Sequence, residues 1–294
     1  MSEGTVEELW RRALDSCRDD FLPPGSPAAG FAWGMLRFLA GQPAEAAGLL
    51  AASAAAVPAA RTLYVLGLAR AGTGDAPGAL AAFERTLDAD PDLVPAWYQA
   101  AAALRRLGKP ADEVALLGRA VEHFSGSSHQ GLVLNELAIA LQRLGRLAEA
   151  ADAYRRAACC PAGDSVACRV NLALLLERSG ERDEAAQVLR GVLAERSRRQ
   201  VPHHLPQVCF LIYYLLGNLE LVAGRPICAS RHYRRSLDFA PDSATAWNGL
   251  AVACHAAGHR RRAASALRRA LELDPELGSA RRNLERLAGR GAAA

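Results

Sequence analysis

The sequence predicts an all-α fold, a solenoid of stacked helix pairs, and three observations carry that prediction. A glycine recurs as Gly41, Gly74, Gly108, Gly145, Gly180, Gly224 and Gly258, at intervals, by subtraction, of 33, 34, 37, 35, 44 and 34 residues. A small residue stands at a fixed distance before each glycine: Gly34, Gly67, Ala101, Ala138, Ala173, Gly217 and Ala251. A large apolar residue stands at a fixed distance after it: Leu50, Phe83, Leu117, Tyr154, Leu189, Tyr233 and Leu267. The physics of that spacing is simple. Small residues let two helices approach closely while large ones fill the seam between them. Glycine supplies the backbone freedom that the turn between the helices needs. A composition rich in Ala, Leu and Arg, the best helix formers, agrees.

Taken in order, the chain opens with residues 1–26, a capping helix and proline-rich linker outside the repeat. Thr5 and Glu8 have the spacing of a capping box, and Val6, Leu9, Trp10, Ala13, Leu14 and Cys17 recur at helical spacing. That helix is expected to end near Phe21, ahead of Pro23 and Pro24, and to cover the open end of the array. Seven units then follow, at 27–59, 60–93, 94–130, 131–165, 166–209, 210–243 and 244–277. A second small position runs Ala46, Ala79, Glu113, Ala150, Ala185, Ala229 and Ala263. Glu113 alone departs from it, so the third unit is predicted to pack more loosely. Two units are long. The extra residues fall in Ser125 to Gln130, read as a flexible polar loop, and in an insert at 200–209. Pro202, Pro206 and the paired His203 and His204 make that insert a structured loop rather than more helix. Residues 278–294 form a C-terminal capping helix and tail, with Arg281, Arg282, Glu285 and Arg286 turned to water.

Several function classes fall away. The chain opens MSEGTVEE, acidic and without a following apolar core, so no signal peptide is expected. No apolar run reaches about 18 residues, so no membrane span is expected. Seven scattered cysteines without paired spacing suit reduced thiols inside a cell. Gly72-Thr73-Gly74-Asp75 and Gly108-Lys109-Pro110 lack the remaining glycines of a phosphate loop and sit on repeat turns. His255 and His259 have the spacing of two metal ligands on one helix face but lack an accompanying Glu. His203 with His204, and Cys159 and Cys160 with Cys168, are weaker still. No Ser, His and Asp set forms a recognisable catalytic motif. The reading is of no enzyme, no cofactor and no metal.

Residues 244–277 display the unit most fully, with Trp247, Leu250, Ala251, Gly258, Ala263, Leu267, Ala270 and Pro275 at positions 4, 7, 8, 15, 20, 24, 27 and 32. This resembles the tetratricopeptide (TPR) repeat, a unit of about 34 residues folding as two antiparallel helices. The resemblance implies a right-handed superhelix that binds other proteins. In that family the concave groove is lined by the first helix of each unit, at positions such as 2, 5, 6, 9 and 12. Here those positions supply Phe31, Met35 and Phe38, then Tyr64 with Leu68, then Tyr98. They continue with Asn135 and Gln142, then Asn171, then Tyr214 with Asn218, then Asn248. Tyr64, Tyr98, Asn135, Asn171, Tyr214, Asn218 and Asn248 are the candidate peptide-groove residues. Asparagine offers a donor and an acceptor together, which suits the backbone of an extended peptide or a helix end. Tyrosine adds contact area at little entropy cost. The clamp with which some TPR modules hold a chaperone's C-terminal carboxylate is missing, since Ile139, Gly249, Leu211 and Leu215 stand at its positions.

The order of units further resembles the Fanconi anaemia group G proteins, TPR adaptors of a nuclear complex that repairs DNA crosslinks. The likeness lies in Gly41-Gln42-Pro43, in the divergent run Leu107 to Glu113, and in the insert after Leu193-Ala194-Glu195-Arg196-Ser197. It implies a nuclear scaffold; without it the expectation is a cytoplasmic adaptor. A rival class comes from charge. Residues 1–180 carry 17 basic and 20 acidic side chains, and residues 181–294 carry 18 and 11, a surplus of seven positive charges in the second stretch. Such a surplus attracts nucleic acid or an acidic partner. Many of these arginines, among them Arg190, Arg234, Arg235, Arg268 and Arg269, fall on the outer face of second helices, where charge serves solubility. No aromatic residues alternate with them to stack bases, so direct nucleic-acid binding is not expected.

Overall fold

The computed structural model describes residues 26–160, 165–199 and 206–289, and among them are fifteen α-helices and no strand. The described residues up to 160 and those from 165 onward form two compact units. The first holds α1 (Pro27–Leu39), α2 (Pro43–Ala56), α3 (Ala60–Gly72), α4 (Ala76–Ala89), α5 (Val94–Arg106), α6 (Pro110–His123), α7 (Gln130–Arg143) and α8 (Leu147–Cys159). The second holds α9 (Ser165–Ser179), α10 (Arg182–Arg199), α11 (Pro206–Val222), α12 (Pro226–Leu237), α13 (Ala244–Ala256), α14 (Arg260–Leu273) and α15 (Gly278–Gly289). The N-terminal capping helix expected in residues 1–26 lies, apart from Ser26, outside the described residues.

Each helix pair is closed in the same way. All seven repeat glycines adopt positive φ, from 68° at Gly108 to 88° at Gly180, a region that costs other residues strain. The residue after each glycine donates its N–H five residues back, as His259 does to the Cys254 carbonyl and Asp75 to that of Arg70. That bond caps the first helix and aims the chain into the second. Within the pair, the small residue of the first helix lies under the large residue of the second. A Cβ added to Gly67 would come within 2.4 Å of the Phe83 ring, and one on Gly34 within 2.6 Å of Leu50. Where alanine replaces glycine the partner is Leu117, Tyr154, Leu189 or Leu267, and both members are buried. Ala46, Ala79, Ala150, Ala185, Ala229 and Ala263 are fully buried on the facing helix.

Successive units are joined by a second recurring contact. The indole N–H of Trp97 donates to the carbonyl of Pro91 at 2.9 Å, and that of Trp247 donates to the carbonyl of Pro241 at 2.9 Å. Each links the first helix of a unit to the end of the unit before. In α15 the guanidinium of Arg281 donates to the carbonyl of Pro275 at 2.8 Å and fills the same slot. Ala280 and Leu287 are the buried side of α15, while Arg281, Arg282, Glu285 and Arg286 face water, as expected. The helix is therefore more than a cover: it docks as the first helix of an eighth unit. Its small-residue position is occupied by Glu285, which is exposed. The other end differs. Trp33 in α1 is 59% exposed, although Leu66, Ala100, Leu172, Leu216 and Leu250 at the same position are buried.

Two expectations need correction. The insert read as a loop at 200–209 is helical over 206–209, because α11 starts at Pro206 and carries Cys209 buried on its inner side. Proline is tolerated in the first turn of a helix, where its missing N–H would be unpaired anyway. Residues 200–205 lie outside the described residues. Likewise Gln130 opens α7 rather than belonging to the loop before it. That loop is hydrogen-bonded, with the Gly126 N–H donating to the Gln130 side chain at 3.1 Å.

The departure at Glu113 has the predicted result and an unpredicted compensation. Helices α5 and α6 pack less extensively against each other than the helix pairs of the neighbouring units. Glu113 is nonetheless 2% exposed, and Oε1 accepts from the Arg105 Nε of α5 at 3.1 Å and from the Arg143 Nη1 of α7 at 2.9 Å. The second half repeats the device. Glu220 of α11, 4% exposed, accepts hydrogen bonds from Arg190 of α10 and from Arg225 in the turn before α12. Burial by itself raises the Glu220 carboxyl, but the two arginines outweigh it and hold the group below the usual carboxylate range. Arg190, read from sequence as an outer-face charge, is thus a tie between α10 and α11 across the insert.

Three outcomes follow for stability, each read by denaturant titration. Ala251→Leu overpacks the seam against Leu267 and is expected to cost about 1–3 kcal/mol, whereas exposed Arg262→Ala costs less than about 0.5 kcal/mol; equal losses would show the seam to be misplaced. Replacing both Arg105 and Arg143 by Met strands a buried carboxylate and is expected to cost about 3 kcal/mol. Adding Glu113→Ala to that variant restores most of the loss, since alanine is what the other six units carry there. A triple variant as unstable as the double would refute the pairing. Finally, the folded carboxyl of Glu220 is depressed, so its contribution is present above the unfolded value and lost as pH falls through the folded one. The difference between wild type and Glu220→Gln is expected to be full at pH 7 and to shrink progressively as pH falls below about 4. A difference unchanged with pH would rule out the charged form.

Candidate functional site

The first helix of each pair presents the positions that line a groove in repeats of this kind, and the two halves furnish them differently. In the first half they are largely apolar. Phe31 and Phe38 are half-buried on α1, and Met35 is buried between them. The ring of Tyr64 lies tilted against Phe83 at 5.9 Å, and burial raises its hydroxyl pKa. Burial first, and then the charge of Glu136 on α7, push the Tyr98 hydroxyl far above its ordinary value. Both tyrosines therefore stay protonated donors at any physiological pH. Gln142 accepts from the hydroxyl of Tyr154 at 3.3 Å. Asn135 is half-buried and already engaged within the chain.

In the second half the row is aromatic and polar. Tyr214 stacks on Phe210 one turn earlier, with ring centres 5.8 Å apart, and meets Tyr233 edge-on at 5.8 Å. Tyr233 is the centre of this cluster. Its ring lies between Gly217 of α11 and Gly249 of α13, where an added Cβ would stand 2.8 Å and 2.6 Å from it. Its hydroxyl donates to the Asn218 side-chain oxygen at 2.6 Å. Asn218 thus holds a core tyrosine in place as well as lining the row. Asn248 is more fully committed. Its oxygen accepts from the Asn283 amide at 3.0 Å, and its own amide donates towards Ser279 at 3.5 Å, both on α15. Asn171 on α9 is half-buried and engaged within the chain. Three of the expected residues, Tyr214, Asn218 and Asn248, are therefore brought to neighbouring first helices, and two of them also serve packing.

Sequence reasoning missed what lies beyond Asn248. A hollow of about 420 Å³ opens between α13, α14 and α15 over Ala251, Ala263, Leu267 and Leu287. Val252 and His255 border it from α13, and Asn283 and Arg286 border it from α15. A signal was present. Val252 and His255 occupy groove positions 9 and 12 of their unit, and Arg286 occupies position 9 once α15 is recognised as a first helix. The outer arginines behave differently. Arg234, Arg235, Arg268 and Arg269 are exposed on second helices. Arg235 pairs with Asp238, the residue that caps the end of α12, and Arg269 with Glu272 three residues along α14. Exposed pairs of this kind contribute little beyond solubility.

No described helix is long and apolar enough to cross a membrane. Models of the tetratricopeptide repeat match residues 31–94, 98–167, 167–202 and 244–277. No curated protein matches the chain. Among solved structures, the C-terminal part of a TPR repeat-containing protein from Cytophaga hutchinsonii is similar at a TM-score of 0.64 and 14% identity, over 86% of this chain and 99% of that one. A tetratricopeptide repeat protein from Parabacteroides merdae is similar at 0.52 and 15% identity, over 89% and 98%. The APC/C hetero-tetramer Cut9-Hcn1 is similar at 0.54 and 14% identity, over 96% of this chain but 59% of that one. These likenesses concern the fold. None of them supports the resemblance to the Fanconi anaemia group G proteins. The register of seven glycines, the common seam and the matched repeats together establish that this chain belongs to the tetratricopeptide repeat family.

Proposed function

We propose that this chain is a non-enzymatic scaffold that holds a segment of another protein, extended or helical, against the first helices of its C-terminal half. The observation that carries the proposal is the row formed by Tyr214, Asn218 and Asn248 on α11 and α13. It sets an aromatic face and amide groups side by side on adjacent helices. Amides that both donate and accept suit a peptide backbone, and the aromatic ring adds apolar contact. The basic surplus of this half favours an acidic partner over nucleic acid. Arg190 and Arg225 are spent on Glu220, and Arg235 and Arg269 on carboxylates three residues along the chain. A narrower role in nuclear crosslink repair, drawn from the Fanconi resemblance, has no observation in its favour.

The test compares two sets of substitutions in the full chain. Asn171→Ala with Asn218→Ala is expected to weaken retention of a protein partner roughly tenfold, two side-chain hydrogen bonds at about 0.5–1.5 kcal/mol each. Asn218→Ala also removes the acceptor of the Tyr233 hydroxyl, so some loss of stability is expected. Tyr233→Phe removes the same hydrogen bond from the other side and separates the two effects: it should share the stability loss and keep the partner. Reversing Arg234, Arg235, Arg268 and Arg269 to Glu should leave the partner's dissociation rate nearly unchanged. Quantitative co-precipitation that follows the arginines and ignores the asparagines would move binding to the outer face and reject the proposal.

A further inference from the structure

We infer that the hollow between α13, α14 and α15 is a binding pocket for a large apolar side chain with a carboxylate close beside it, on a segment of a partner protein. The inference rests on the scaffold reading above and names one subsite of that groove. The hollow is best compared with the unit before it. One unit earlier the equivalent space is filled by the Tyr233 ring, seated between Gly217 and Gly249. In the last unit the counterpart of Tyr233 is Leu267, and the counterparts of the glycines are Ala251 and Asn283. A leucine fills less of the space than a tyrosine, and Asn283 is drawn aside to the Asn248 oxygen. About 420 Å³ is open, with Val252 on its wall above the buried side chains of Ala251, Ala263, Leu267 and Leu287, a size within the range of ligand pockets.

The rim supplies the second half of the specificity. His255 and Arg286 are both exposed beside the opening, and among the described residues no carboxylate pairs with either. A guanidinium offers a planar fork that matches a carboxylate in two hydrogen bonds. The C-terminal carbonyls of α15 would repel an anion, but Arg260 donates to the Leu287 carbonyl at 2.7 Å and offsets them. The positive surplus of this half draws an acidic segment towards the groove before contact is made. A floor of aliphatic side chains has no ring on which a base would stack, so the chemistry favours a protein segment over a nucleic acid.

The probe is a random dodecapeptide phage library panned against the full chain, with two variants whose changes stay out of the seam. Val252→Trp fills the hollow from a groove position, and Arg286→Glu reverses the rim charge at an exposed site; thermal melts confirm that each is folded. Enriched peptides are expected to carry a large apolar residue with Asp or Glu within about one helical turn. Binding of synthetic copies is expected to fall at least tenfold with either variant. Peptides with Lys in place of the acid should regain binding on Arg286→Glu, which loss of structure alone would not produce. Should Val252→Trp fail to fold, the Arg286 charge swap alone decides the matter. Enriched peptides without acids, or insensitive to both variants but lost with Tyr214→Ala, would overturn the pocket and leave the scaffold reading standing. A chain that enriches no peptide yet binds a single-stranded oligonucleotide through Arg286 would overturn both, as would a chain that enriches nothing.

Discussion

The contact that recurs through the described helix pairs is between a residue that is almost nothing and one that is large. In every helix pair the first helix bares glycine or alanine, and a leucine, phenylalanine or tyrosine from the second helix lies upon it. The approach leaves no room for a Cβ at Gly34, Gly67 or Gly217. That contact fixes the distance between the two helices and therefore the angle at which the next pair begins. The glycine turn and the residue after it, which closes a hydrogen bond five residues back, fix the direction. Because each pair buries its face only against its neighbours, stability in such an array is built from local seams of this kind.

Two buried carboxylates modify this uniform plan where it is weakest. The third unit replaces its second small residue by Glu113, and the fifth and sixth units are separated by an insert. At both places a glutamate takes two arginines, one from a neighbouring helix pair. Ion pairs of this sort give little net stability compared with apolar packing, but they tolerate very few alternative arrangements. Arg143 reaches Glu113 and Arg190 reaches Glu220, each across the boundary between two repeat units. The aromatic cluster around Tyr233 joins the sixth and seventh units by shape instead, with one ring held between two glycines.

The site grows out of the same economy. Asn218 lines the row and also holds the Tyr233 hydroxyl; Asn248 lines it and also secures α15. Recognition and packing share these side chains, so a partner that engages them meets groups already fixed in orientation. Fewer rotamers remain to be ordered on binding. The hollow beside α15 lies where Leu267 stands at the position that Tyr233 holds one unit earlier.

Much of this was legible in the sequence because the signal was repeated. Seven glycines in step with seven small and seven large residues name the helix pairs, their turns and the C-terminal helix, since each depends on spacing along the chain. Glu113 was visible as the one exception, and its looser packing followed from charge alone. The sequence could not say that Arg105 and Arg143 would converge on it, or that Arg190 would leave the outer face for Glu220. Those residues lie 8, 30 and 30 positions from their partners, and only the stacking angle between units brings them together. Likewise Asn218 and Asn248 could be placed on the groove side by counting, but which partners their amides had already taken depends on how the neighbouring helices dock. Local periodicity settled which helices form and which faces they bury. The tertiary structure settled which polar groups meet, because side-chain partners across a stack are chosen by helix separation and tilt, and no spacing along the chain encodes those directly.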